Sequence, residues 1–303
     1  MSIRPILSQS KSQPTMEGAG VHLHRAFGFH EPEAYDPFLL FDDFRNDDPA
    51  KSEKGFPWHP HRGIETITYV LAGQVSHEDS LGNSGTLGAG DIQWMTAGSG
   101  IMHQEMPHAN AQGQMHGFQL WANLPRELKM TSPNYQDVPA AEIPVIQEDD
   151  GTIVRVIVGS FWDRSGPVDG IAANPLYLDI SVPAGVIKSF PIDTRRQAFA
   201  YVFEGAGAFA DAAAPQGVLL EKEVFGQETN IRDLSGNRTV VRFGSGDEVR
   251  VQAGEEGVRF LLIAGAPIRE PVAWHGPIVM NTKDELRQAM ADLRNNTFIK
   301  PIM

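Results

Sequence analysis

The chain has no cysteine. That absence excludes a disulfide framework and thiolate ligands, so any bound metal must be held by nitrogen and oxygen donors. No segment reaches the roughly 18 apolar residues that span a bilayer. The amino terminus, MSIRPILSQSKSQPTMEG, has too short an apolar stretch for a secretory signal, and together these features point to the cytoplasm. Basic residues are scarce: 25 Lys and Arg stand against 38 Asp and Glu, a formal net charge of −13. Nucleic-acid affinity rests largely on Lys and Arg displacing counterions, so direct nucleic-acid binding is not expected. Neither a P-loop nor a G-x-G-x-x-G between a strand and a helix is present, so nothing indicates a nucleotide site.

What is present is β-like. Runs such as ETITYVLAG, TIVRVIVGS, LYLDISV and EGVRFLLIAG alternate with Gly, Asn, Asp and Pro clusters, the pattern of many short strands in a sandwich or barrel. Helix is expected mainly at the end, in MNTKDELRQAMADLRNN. There Thr282 and Glu285 form a capping box, and Leu286, Met290 and Leu293 share one face that would pack on a sheet. A short helical turn is expected after Pro125, limited by Pro133.

At 303 residues there is material for about two domains, and the sequence repeats itself. Tyr69-Val-Leu-Ala-Gly73 matches Tyr201-Val-Phe-Glu-Gly205 at an offset of 132. Gly88-Ala-Gly-Asp91 matches Gly244-Ser-Gly-Asp247, and Ala97-Gly98 matches Ala253-Gly254, both at an offset of 156. The difference of 24 reads as one insertion within Ala206 to Arg242, a stretch containing APQG and LSGN. Two similar β-domains in tandem follow, over 1–135 and 136–303, with the helix at about 282–295.

Strand alternation puts His59 and His61 on one face, and likewise His103 and Glu105. Three imidazoles and one carboxylate suit iron, manganese, nickel, cobalt or copper better than calcium. A His-x-His pair alone is weak evidence, because solvated pairs are common and His22 and His24 form another. The repeat strengthens it. At the two offsets His59, His61, His103 and Glu105 correspond to Pro191, Asp193, Arg259 and Leu261, so all four candidates are lost together in the second copy. Joint loss is the behaviour of a functional unit.

The segments FPWHPHRGIETITYVLAG, HEDSLGNSGTLGAGDIQWMTAGSGIMHQEMP, GFQLWANLP with KMTSPNYQ, and MNTKDELRQA together make the chain resemble a pirin, of the cupin superfamily, over nearly its whole length. The resemblance implies an all-β bicupin: two jelly-roll-like barrels with a short C-terminal α-helix. It further implies one divalent metal ion, usually Fe(II), in the N-terminal barrel, with His59, His61, His103 and Glu105 as ligands. Many cupins use a glutamate at the position of Glu65, which by strand parity would face as His61 does. The pirin pattern assigns the carboxylate to Glu105 and leaves Glu65 in a supporting or structural role. Phe56, rather than Trp58, is expected to line a substrate pocket. His77 is expected to be structural beside a turn, and His108 and His116 to be solvent-exposed. Several pirins resemble quercetin 2,3-dioxygenases, which implies a small aromatic hydroxyl substrate, O2 as co-substrate and Glu105 as proton acceptor. The alternative is a metal- or redox-dependent regulator acting through protein partners, and a third reading is a storage or structural protein with a vestigial site.

Overall fold

A computed structural model of the chain describes residues 1–168, 172–210, 220–224, 227–231 and 234–300. Strands dominate, and the chain divides into two compact units, Met1–Ser12 with Ile143–Pro267 and Gln13–Glu142 with Ile268–Met303. The termini are therefore exchanged relative to a simple division at residue 135. Strand Ile6–Lys11 satisfies its backbone by pairing antiparallel with Thr239–Phe243, and so joins the trailing unit. The helix Lys283–Arg294 joins the leading unit, held there by contacts to Arg62. Backbone pairing and buried ion pairs, not proximity in sequence, decide membership.

The helix itself is as expected. Thr282 Oγ1 accepts from the Glu285 amide at 3.2 Å, and Glu285 Oε2 accepts from the Thr282 amide at 2.8 Å. Leu286, Met290 and Leu293 pack against Ile278, Met280, Ala289 and Phe298. The turn after Pro125 is a single 3-10 turn, Arg126–Leu128.

The leading unit pairs a seven-stranded with a four-stranded antiparallel sheet. The first runs in the order Asn134–Val138, Ile92–Thr96, Ile64–Ala72, His116–Asn123, Phe38–Asp43, Val21–Phe27, Gln13–Glu17. The second runs Phe56–His61, Ile101–His108, Gln74–Asp79, Ser84–Leu87. Between Phe56–His61 and Ile64–Ala72 the chain passes from one sheet to the other in two residues, Arg62 and Gly63. Gly63 has φ +77°, and a Cβ there would lie 2.0 Å from the Val279 carbonyl oxygen, so only glycine fits this crossing.

The trailing unit is built on a nine-stranded sheet whose longest members, Gln197–Phe209 and Glu248–Gly265, pair antiparallel along much of their length. Strand pairing corrects the second offset of the repeat. Tyr69 pairs with Ile92, and Tyr201 pairs with Val240. With Tyr69 matched to Tyr201, residue 92 corresponds to 240, an offset of 148. Gly244–Asp247 is thus the loop after Thr239–Phe243 and corresponds to the loop after Ile92–Thr96, not to Gly88–Asp91 before it. Both loops are Gly-x-Gly turns flanking a strand, which is why the sequence match misled. The inserted stretch holds the hairpin of Leu220–Val224 and Gln227–Ile231, while its APQG portion lies outside the described residues.

At the corrected offset, Ile101, His103 and Glu105 correspond to Val249, Val251 and Ala253. These three, with Phe190, Phe209 and Phe260, belong to one continuous buried apolar cluster. Val251 and Ala253 thus put hydrocarbon in the trailing barrel where the leading one has His103 and Glu105. The correspondences of His103 and Glu105 to Arg259 and Leu261 change, and the loss of ligand-type residues at these positions stands.

Candidate metal centre

His59 and His61 lie on Phe56–His61, and His103 and Glu105 on Ile101–His108, with His103 directly opposite His59 across the strand pair. His59 Nε2 lies 3.1 Å from His61 Nε2 and 2.9 Å from His103 Nε2. The three ligand nitrogens all fall within 4.8 Å of one another. Glu105 Oε2 is 3.9 Å from His103 Nε2, and its Oε1 is 3.1 Å from the Thr68 hydroxyl. All four residues predicted from the sequence are brought together.

The tautomers decide what this cluster can hold. His59 Nδ1 donates to the Pro57 carbonyl at 2.8 Å and His61 Nδ1 to the Pro277 carbonyl at 3.3 Å. A neutral ring with its proton on Nδ1 presents a bare lone pair at Nε2, so these two nitrogens turn lone pairs toward a common point. A divalent cation at that point would accept both lone pairs at once. Burial, with repulsion from the neighbouring rings, lowers the pKa of His61 and His103 well below the usual imidazole value, keeping both in the neutral form that ligates metals. Burial also raises the pKa of Glu105, against the opposing pull of His59, Thr68 and His77. The donor set fits a divalent first-row ion, and its identity is not fixed by nitrogen and oxygen donors alone.

Buried hydrogen bonds tie together the residues behind the trio. Arg62, next to His61, is buried, donating from Nε to the Ser99 carbonyl at 2.7 Å, from Nη2 to the Phe298 carbonyl at 2.9 Å, and from Nη1 to Asp292 at 2.8 Å. Lys129 Nζ donates to the Gly63 and Val279 carbonyls and to Asn123 Oδ1, at 2.9, 3.0 and 2.7 Å. Burial lowers its pKa to about 7. These bonds join the end of the His61 strand to the hairpin of Ala273–His275 and Ile278–Met280, whose turn supplies the Pro277 carbonyl. No sequence pattern pointed to that role for the C-terminal segment.

A cavity of about 260 Å³ opens onto His59, His61 and Glu105. Leu40, Phe44, Phe56, Trp121 and Pro277 give it apolar walls, and Arg25, Asp42, Gln119 and Glu17 bring polar groups. Trp121 meets the His61 ring edge-on at 5.1 Å. Phe56 lines the cavity, whereas Trp58 is 46% exposed and is not among its lining residues.

Glu65 is not brought to the trio. Parity does not carry across the Arg62–Gly63 crossing, and Glu65 falls on the opposite face of its strand from Thr66 and Thr68. It is buried there, its Oε1 accepting from Thr96 at 2.9 Å, and burial pushes its pKa up to about 7. His77 is not beside a turn but buried inside its strand, directly opposite Glu105. His108 is exposed, and His116 is half-buried with Nε2 2.6 Å from Asp47.

Two β-barrel units, one with an apolar interior and one with a trio of inward histidines that could hold a metal ion, define a bicupin. The family model described as Pirin matches residues 20–122, and that of the pirin C-terminal cupin domain matches residues 177–299. The chain is 44% identical to a pirin-like protein of Caulobacter vibrioides over 98% of this chain and 100% of that one. It is 40% identical to the pirin of Homo sapiens over 96% of this chain and 91% of that one. Among solved structures, a quercetin 2,3-dioxygenase from Acinetobacter baumannii superposes with a TM-score of 0.84 at 30% identity, covering 100% of both chains. The chain belongs to the pirin family. Among the described residues no helix is long and apolar enough to cross a membrane.

Proposed function

We propose that the protein is a mononuclear metal-dependent dioxygenase of the quercetin 2,3-dioxygenase type, acting on a flavonol or a similar hydroxylated aromatic. His59, His61, His103 and Glu105 would hold the ion. The observation that carries the reading is the convergence of three imidazole nitrogens, two of whose rings line an aromatic-walled cavity. The full-length similarity to the Acinetobacter quercetin 2,3-dioxygenase supports it. A bound divalent ion would supply Lewis acidity toward an aromatic hydroxyl and a place for dioxygen beside it.

The protein's own residues do the rest. Phe56, Phe44 and Trp121 exclude water and hold a planar ring system at the trio. Glu105 accepts the substrate's hydroxyl proton; its burial raises its proton affinity, and the Thr68 hydroxyl fixes Oε1. The test is anaerobic loading with iron, manganese, nickel, cobalt or copper, followed by quercetin and oxygen, with carbon monoxide measured. Release in proportion to quercetin consumed is expected, and no turnover with any of the five ions removes the reading.

A further inference from the structure

The cavity wall carries one polar row between apolar rows. Arg25 pairs in register with Asp42, Asp42 with Gln119, and Gln119 with Thr68, so four adjacent strands each place one polar side chain at the same level. The neighbouring level on one side contains Leu40 and Trp121, and on the other lie Leu23, Phe44 and Val70. The row ends at the metal centre, where Thr68 Oγ1 lies 3.1 Å from Glu105 Oε1 and 2.9 Å from Gln119 Oε1. At its other end the Arg25 guanidinium grips Asp42 with two bonds, of 2.8 and 2.7 Å, and reaches Glu17 at 2.9 Å. The Arg25 fork is thereby committed to carboxylates. Each Asp42 oxygen still has a lone pair able to accept from a ligand.

We infer that Asp42, held by Arg25, is the specificity-determining residue of the cavity, accepting a hydrogen bond from a hydroxyl at the far end of a ligand whose near end sits at the histidine trio. The inference rests on the proposed placement of substrate in this cavity and deepens it. Neighbouring strands are about 4.8 Å apart, so Asp42 stands roughly 10 Å along the row from Thr68, a span that needs two linked or fused rings. A single-ring catechol would not bridge it. Asp42 and Glu17 outnumber Arg25 at this end, so a terminal carboxylate meets net repulsion where a neutral hydroxyl donates. The substrate class is a planar, uncharged, multi-ring phenol with a donor at the end remote from the reacting hydroxyl.

The test is equilibrium titration of the metal-loaded protein under nitrogen, so that no turnover intervenes, with 3-hydroxyflavone, 3,4′-dihydroxyflavone and 4′-carboxy-3-hydroxyflavone. The dihydroxy compound is expected to bind about ten- to a hundred-fold more tightly than 3-hydroxyflavone, the range for a hydrogen bond to a charged group, and the carboxylate more weakly than both. In Asp42→Asn the preference for the terminal hydroxyl should shrink to a few-fold and the carboxylate should gain. Equal binding of all three ligands by the unsubstituted protein overturns the inference, as does failure to bind any of them, and neither result depends on the variant folding. An unchanged ranking in a folded Asp42→Asn protein also overturns it. Discrimination without carbon monoxide release in air would instead leave the Asp42 assignment standing and sink the dioxygenase reading, whereas release without discrimination would do the reverse.

Discussion

Replacing Arg62 with methionine tests whether the segment behind the histidines is held by buried electrostatics. The guanidinium has three acceptors, the Asp292 carboxylate and the Ser99 and Phe298 carbonyls, and lies 4.1 Å from the centre of the Phe298 ring. Removing one member of a buried ion pair costs about 3–5 kcal/mol, because its partner stays behind without its charge. Asp292 would retain Gln288 at 2.9 Å and Lys300 at 3.1 Å, which moves the estimate toward about 3 kcal/mol. The loss of donors to two carbonyls and of the ring contact moves it back up. A destabilisation of about 3–5 kcal/mol corresponds to a fall of roughly 6–20 °C in the Tm of a unit this size. The exposed pair of Arg287 with Asp284 supplies the control, and Arg287→Met should cost less than about 1 kcal/mol. Urea denaturation of both variants gives the comparison. Adding Asp292→Leu to Arg62→Met should recover part of the loss, since the orphaned charge goes with it. If Arg62→Met is no worse than Arg287→Met, the claim that this cluster fixes the base of the site is wrong.

Gly63→Ala places a methyl carbon 2.0 Å from the Val279 carbonyl at a positive φ, and should cost more than about 2 kcal/mol and reduce metal content in the same preparation. Glu65 has a folded-state pKa of about 7 against 4.5 in the unfolded chain. Between those values the folded protein keeps a proton that the unfolded chain releases, so this group's contribution is present below pH 4.5 and lost as pH rises toward 7. That amounts to about 3 kcal/mol, and Glu65→Gln should remove this downward slope from urea stability measured between pH 5 and 8. Because His61 and His103 stay neutral well below the usual imidazole range, metal should be retained through dialysis at pH 6. Loss of most of the metal there would contradict the assigned protonation states. Thr68→Val leaves the Glu105 Oε1 atom without its hydroxyl donor and should lower kcat more than it raises KM for quercetin in stopped assays.

The fold was legible because two local signals are short-ranged. Strand alternation and Gly-rich turns mark the barrels, and the Thr282–Glu285 capping box marks the helix. Parity within one strand could pair His59 with His61 and His103 with Glu105, but grouping the two pairs took the repeat and the resemblance to pirins, and the structure sets the three imidazoles within 4.8 Å of one another. Glu65 defeated parity because the chain leaves one sheet and enters another at Arg62–Gly63, and a two-residue crossing looks like a continuous strand in sequence. The offset of 156 failed because Gly-x-Gly turns occur on both sides of a strand, and only pairing shows which is which. Pro277, Lys129 and the Arg25–Asp42–Gln119–Thr68 row could not be read in advance. Their roles depend on contacts between residues tens to hundreds of positions apart, which carry no local pattern.

A single ion held in the leading barrel can be located directly. Crystals of the metal-loaded protein, measured on both sides of the metal's absorption edge, would locate it by anomalous scattering. One peak about 2.0–2.3 Å from the Nε2 atoms of His59, His61 and His103, with a Glu105 oxygen in its coordination sphere, is the predicted result. A peak elsewhere, a second peak among Phe190, Val249 and Val251, or an ion that His61→Ala fails to remove would contradict it.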